Sequence, residues 1–218
     1  MMFEWFVVCL YILSCIFLIL SFRFFLSTLK LTLWFPVSFF NFIIFFFLSI
    51  LFFTSANQLS SFFVSDKGLQ IAEITIKQKD IQEFTLFISN PGQNDKSQFG
   101  LIGDEWQLDM RIITWNNMLS ALGLNTLYRF ERISGRYTSI ENSQKRKHSL
   151  YPLNDKNVTD FLWAYMASLY DGSVFRAYYG LALFAPMSDK AKYGIFLTST
   201  GAEVLPLNKY AKQALVHW

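Results

Sequence analysis

The sequence predicts an α+β protein: an N-terminal hairpin of two transmembrane helices, then a largely antiparallel, β-rich soluble domain with two short helices. Three observations predict it. Residues 1–53 carry only Glu4, Arg23 and Lys30 as charged groups. Within them, residues 5–22 and 34–53 form two uncharged runs, each long enough to cross a hydrocarbon core about 30 Å thick. Beyond Thr54 the composition is that of a globular domain, with branched or alternating segments separated by turn residues.

The anchor is residues 1–56. Trp5 and Trp34 stand at the ends of the runs, where indole rings favour the membrane interface. Pro36 falls near the start of the second run, where a missing amide proton costs little. Asn41, the one strongly polar residue deep in a run, is expected to hydrogen-bond across the helix pair. Thr54-Ser55-Ala56 has the small residues of a signal-peptidase site, but a cleaved signal rarely carries a complete second span, so an uncleaved hairpin is expected. The linking segment holds Arg23 and Lys30 and the flanks hold almost no cations, so the positive-inside rule places the link in the cytoplasm. Both termini and the domain at 57–218 then lie on the exoplasmic side.

The net charge is +3, of which the anchor supplies +1 (Arg23 and Lys30 against Glu4) and the rest +2. That is too little to imply a nucleic-acid partner. Cys9 and Cys15 both lie in the first apolar run and do not stack on a helix face, which excludes a disulfide framework or a cysteine-based zinc site. The domain is long enough to bury its own core without staples.

In order along the domain, 57–68 reads as a connector and 69–76 and 81–89 as strands, the second ending in Asn90-Pro91-Gly92. Residues 90–98 read as a polar loop. Trp106, Leu108, Met110 and Ile112 alternate with polar neighbours, the period of a half-buried strand. A short helix is expected at 116–122, a strand at 125–133, and a hairpin turn at Ser134-Gly135 into 136–140. Residues 141–148 read as a charged loop and 155–170 as an amphipathic helix. Strands at 175–184, 193–198 and 202–205 and a terminal helix at 207–218 complete about seven strands.

Chemistry is sparse. His148 and His217 have no partner at ligand spacing, and neither a nucleophile elbow nor a phosphate-cradling loop occurs. No pattern calls for a cofactor or metal. Glu105, Gln107 and Asp109 share one face of a strand, opposite Trp106 and Leu108. They are expected to form surface ion pairs with Arg129 and Arg132 of a neighbouring strand; contact with a cation or a basic partner is the sharper option. By alternation Arg129, Glu131 and Ile133 share one face and Phe130 and Arg132 the other. Arg129, Arg132 and Arg136 make either an ion-pair ladder or an anion contact. Lys145, Arg146 and Lys147 form a solvated basic run or touch anionic lipid headgroups.

The segments GDEWQLDMRIITW (103–115), LGLNTLYRFERISGRY (122–137), AYYGLALFAPM (177–187) and YGIFLTSTGAEVLPLN (193–208) resemble a family of uncharacterised proteobacterial inner-membrane proteins labelled multidrug transporter or cation/multidrug efflux pump. The resemblance implies a bacterial inner membrane and a periplasmic domain, and it supplies no activity or catalytic residue. Two spans without an ionisable residue in mid-membrane do not by themselves form an alternating-access path. The expected function is therefore that of a non-enzymatic accessory or scaffold protein that binds another envelope protein. The alternatives are a small subunit of an efflux or cation-transport complex, and a membrane-bound envelope enzyme with an unfamiliar site. The orientation has a direct check: a reporter active only in the periplasm, fused after Trp218, is expected to be active, and activity only from a cytoplasmic reporter would invert the topology.

Overall fold

Both apolar runs are helical over more than their uncharged cores. The computed structural model describes residues 2–29, 34–65, 68–89, 96–115, 125–154, 175–198 and 201–218. In it α1 spans Met2–Thr28 and α2 spans Phe35–Ser60, each long and apolar enough to cross a membrane. Arg23 is thus inside α1, and α2 absorbs the first residues of the expected connector. Val7, Ser14, Ser21 and Thr28 recur every seven residues and are buried, as are Ser38, Ser49 and Ala56 of α2. Small side chains let two helices approach closely, and hydroxyls hold the seam. Ser14 Oγ donates to the Ser49 carbonyl and Ser49 Oγ to the Ser14 carbonyl, both at 3.0 Å. Ser21 Oγ donates to the Phe42 carbonyl at 3.2 Å. Beside the seam Phe17 stacks on both Phe45 and Phe52, and Phe24 stacks on Phe45. Asn41 does not reach across: its amide donates to the Val37 carbonyl, one turn back in α2.

The chain divides into two compact units, and the β-rich one begins at Val64. Its first strand is β1 (Phe63–Ser65), followed by β2 (Gln70–Asp80), β3 (Glu83–Ser89), β4 (Lys96–Ile102), β5 (Glu105–Trp115) and β6 (Thr126–Arg136). Then come a short helix α3 (Ile140–Lys145), β7 (Leu150–Pro152), β8 (Phe175–Pro186), β9 (Lys192–Leu197), β10 (Ala202–Pro206) and α4 (Lys209–Val216). One sheet has the order β1-β6-β5-β8 with β7 paired to β6; the other has the order β10-β9-β2-β3-β4. The chain is α+β, with β2–β3, β3–β4, β5–β6, β5–β8, β2–β9, β9–β10 and β6–β7 all antiparallel.

The two sheets face each other across one apolar core. The first sheet contributes Trp106, Leu108, Met110, Ile112, Tyr128, Phe130, Ile133 and Leu183. The second contributes Ile74, Ile76, Leu86, Ile88, Tyr193, Ile195 and Leu197. Trp106 and Tyr193 meet across it with ring centroids 5.8 Å apart. Asn208 caps α4 by accepting from the Ala211 amide at 2.9 Å and ties it to the turn before β9 by donating to the Lys190 carbonyl at 2.7 Å.

The step from β4 to β5 carries the chain from one sheet to the other. Gly103 takes φ 143°, and a Cβ there would lie 2.5 Å from the Arg136 carbonyl oxygen. Asp104 then joins four segments: its amide donates to the Arg136 carbonyl, its carbonyl accepts from the Met187 amide, and its carboxylate accepts from Gln82 Nε2 at 2.7 Å and Thr138 Oγ1 at 2.9 Å.

Several expectations need correction. Residues 96–98, placed in a loop, open β4; their side chains are polar and exposed, so only backbone pairing with β3 reveals them as strand. No hairpin turns at Ser134-Gly135, because β6 runs straight through to Arg136. Gly135 is there because the Ile102 carbonyl oxygen lies 2.1 Å from where its Cβ would be. The charged loop at 141–148 begins as helix α3, and the described residues alone hold ten strands where about seven were expected. Strand β5 is not half-buried: nine of its eleven residues are buried, on both faces. The helices expected at 116–122 and 155–170 and the turn at Asn90-Pro91-Gly92 lie outside the described residues.

Tyr193 reports on this core. Its ring is fully buried and its hydroxyl donates to the Pro186 carbonyl at 2.9 Å. Burial pushes the phenol up to about 12. A group held protonated more firmly in the folded state contributes stability that is complete below its unfolded value near 10 and lost as pH rises to the folded one. The detergent-solubilised chain is therefore expected to lose on the order of 2 kcal/mol between pH 10 and about 12 through this phenol, seen as a falling melting temperature. Tyr193→Phe should flatten that fall; Tyr128, also raised by burial, keeps part of it.

Candidate functional site

The charged residues singled out in the sequence meet on the outer face of the first sheet, and a bulge puts them there. Asp109 opposes Arg132, but the next residue, Met110, opposes Phe130, so Glu131 is an extra residue in β6. The bulge resets the alternation. Phe130 and Ile133 both enter the core, and Arg129 and Arg132 both face outward, whereas simple alternation had separated these pairs the other way. The extra residue is fixed by its carbonyl, which accepts from the Leu153 amide at 2.9 Å.

Three groups of side chains follow along the face. At the first, Glu131 Oε1 accepts from Arg129 Nε at 2.7 Å, and Arg111 Nε lies 3.2 Å from the same oxygen. Arg129 and Arg111 are only 2% and 6% exposed. At the second, Asp109 pairs with Arg132 through Oδ2 and accepts from Gln107 Nε2 at 2.8 Å through Oδ1. At the third, Glu105 Oε2 lies 3.6 Å from Arg136 Nε, and Glu105 Oε1 accepts from Trp218 Nε1 at 2.6 Å. Arg136 also lies over the ring of Phe184, 5.2 Å from its centroid, and Phe184 meets Trp218 edge to face at 5.7 Å.

The three groups differ in exposure. The carboxylates of Glu105 and Asp109 are buried, while their cations Arg132 and Arg136 have side chains 53% and 51% exposed. Arg132 is the expected partner of Asp109. Glu105 pairs with Arg136 instead, and Arg129 pairs within its own strand, as a buried group and not a surface one. Arg111, Glu131 and Trp218 were not singled out in the sequence. The i, i+2 spacing of Arg129 and Glu131 is visible there, but the bulge that brings Arg111 to the same oxygen is not.

Lys145, Arg146 and Lys147 belong to a separate network. Arg146 donates to Gln82 Oε1 and lies 5.9 Å from the Tyr137 centroid. Gln82, in the left-handed region at φ 59°, passes the link on to Asp104. The Lys147 carbonyl accepts from the Tyr137 hydroxyl at 3.3 Å, and Lys145 closes α3.

No protein-family model, curated protein or solved structure matches the chain. Among the described residues no three His, Cys, Asp or Glu side chains gather as metal ligands. General acid–base chemistry needs a carboxyl or imidazole poised to exchange a proton in a cleft. Here the three carboxylates each engage a guanidinium. Half-exposed Arg136, by contrast, stands over the exposed ring of Phe184, which meets the exposed Trp218. Arginine and tryptophan so placed are the residue types that dominate protein–protein recognition.

The two ends of the ladder should respond differently to truncation. Arg129→Ala leaves Glu131 short of a buried partner and is expected to cost about 3–5 kcal/mol. Arg132→Ala removes a solvent-screened partner and is expected to cost at most about 1 kcal/mol. Denaturant or thermal melts of the full chain in detergent measure both, and equal costs would contradict the burial gradient.

Proposed function

We propose that this chain is a membrane-anchored, non-enzymatic accessory or scaffold protein whose β-rich domain binds another envelope protein. The carrying observation is the exposed end of the ladder. Arg136, Phe184 and Trp218 form an aromatic–guanidinium patch tied to the buried Glu105, and Arg132, paired with Asp109, lies on the same sheet face. Preorganised arginines with anchored rings lose little side-chain freedom on docking, which favours recognition. The helices α1 and α2 supply the anchor. In this reading they cross a bacterial inner membrane, with both termini and the domain on the periplasmic side, as the cations Arg23 and Lys30 favour.

A second reading makes the chain a small subunit of an efflux or cation-transport complex. It is favoured by the sequence resemblance to proteins carrying that label and by the Phe-rich helix surfaces open to another membrane helix. Both readings predict a stable partner and differ in what the partner is.

The experiment is purification of the full chain from its membrane in mild detergent beside Arg136→Lys, which keeps a cation for the buried Glu105, and Phe184→Ala, which removes an exposed ring without a hydrogen bond. The native chain is expected to retain a stoichiometric envelope protein, identified by mass spectrometry. The variants should melt within a few degrees of native yet lose that partner about tenfold or more, as truncating a hot spot does. A polytopic transporter as the partner would favour the second reading. Equal retention by native and variant chains would remove the patch from the interface.

A further inference from the structure

Away from the ladder, the outer face of the second sheet holds a hollow of about 280 Å³. Strand register builds it. Thr75 lies between Phe87 and Lys192, and Ser89 between Glu73 and Lys96, so side chains from β9, β2, β3 and β4 ring one concavity with Lys77 at its side. Lys77 Nζ is held 5.5 Å from the centroid of the Phe87 ring. Lys192 Nζ lies 3.5 Å from Glu73 Oε1. Among the described residues no carboxylate lies within ion-pair distance of Lys77 or Lys96, and the Ser89 hydroxyl makes no hydrogen bond. Three ammonium groups against one carboxylate leave the lining with a net charge of +2.

We propose that this hollow binds a phosphate-bearing anion. The charge excess repels cations, and the ammonium and hydroxyl donors exclude an apolar occupant. Lysine ammoniums are compact point charges on flexible stems, each with three rotatable donors, and they wrap a tetrahedral oxyanion from several sides. A double negative charge balances the lining. The Phe87 ring offers an apolar floor for a small organic group on the phosphate, and the volume suits a glycerol phosphate better than a larger ligand. A phosphate group is presented by a soluble monoester, which carries up to two negative charges, and by a phosphodiester lipid headgroup, which carries one. The proposal is independent of the partner-binding patch, which uses other residues on the other sheet.

The test labels lysines of the full chain with an acetylating reagent and reads each site by peptide mass spectrometry. The chain is placed in nanodiscs of phosphatidylcholine alone, in the same nanodiscs with glycerol 1-phosphate added, and in nanodiscs containing phosphatidylglycerol. Lys77, Lys96 and Lys192 are expected to be protected together, while Lys209 and Lys212 of α4 label as before. Protection by glycerol 1-phosphate identifies a soluble ester as the source; protection only in the phosphatidylglycerol discs identifies a headgroup. Lys96→Gln should weaken the protection of Lys77 and Lys192 about fivefold in effective concentration, the effect of one cation near an anionic surface. No protection in either arm, equal protection of Lys209 and Lys212, or an unchanged response in Lys96→Gln overturns the proposal.

Discussion

Buried on both faces, β5 carries three charged side chains out of water, and pairing them with opposite charges arranges the strands around it. Its core face, Trp106 to Ile112, packs against the second sheet. Its other face carries Glu105, Asp109 and Arg111, all buried. An ionised group out of water is costly unless it is paired and hydrogen-bonded. Strand β6 meets the demand by gaining one residue: without the bulge at Glu131, Phe130 and Arg132 would share a face, and Arg132 would follow Phe130 into the core or Phe130 would follow Arg132 outward. The corner at Gly103-Asp104 then returns the chain so that Arg136 reaches Glu105.

That requirement also explains what could be read from the sequence and what could not. The apolar runs, β2, β3, β8 and β9 follow from local composition and periodicity. Strand β4 did not, because an edge strand with outward polar side chains is held mainly by its neighbour's backbone. Gly135 was taken for a turn because glycine is the usual turn residue; here it makes room for the Ile102 carbonyl, a contact between distant segments. The site was half legible. Its residue types and the Asp109–Arg132 pair were visible, but one bulge inverts the parity of every residue on one side of it, and nothing local in Arg-Phe-Glu-Arg announces the extra residue.

The face is therefore graded in its physical character. Toward Glu131 two guanidinium groups share one carboxylate oxygen in a buried setting, where a change is felt as stability. Toward Glu105 the carboxylate is buried and the cation is half in water, supported by Phe184 and Trp218. One end fixes the sheet and the other offers a rigid surface. The second sheet divides its faces more simply, with an aliphatic inner side and an outer side that keeps lysines in solvent around Phe87.

The seam of the hairpin has a consequence for descent. The small residues packed closely in the seam are Val7, Ser14, Ser21 and Thr28, spaced by seven, and Ser38, Ser49 and Ala56 of α2. On the exposed sides of both helices no close packing fixes the shape of a side chain, so phenylalanine, leucine and isoleucine can replace one another freely over time. A seven-residue rhythm of small residues also favours a left-handed winding of the pair. A distant cousin of this anchor would be recognisable by that rhythm long after its phenylalanines had drifted away.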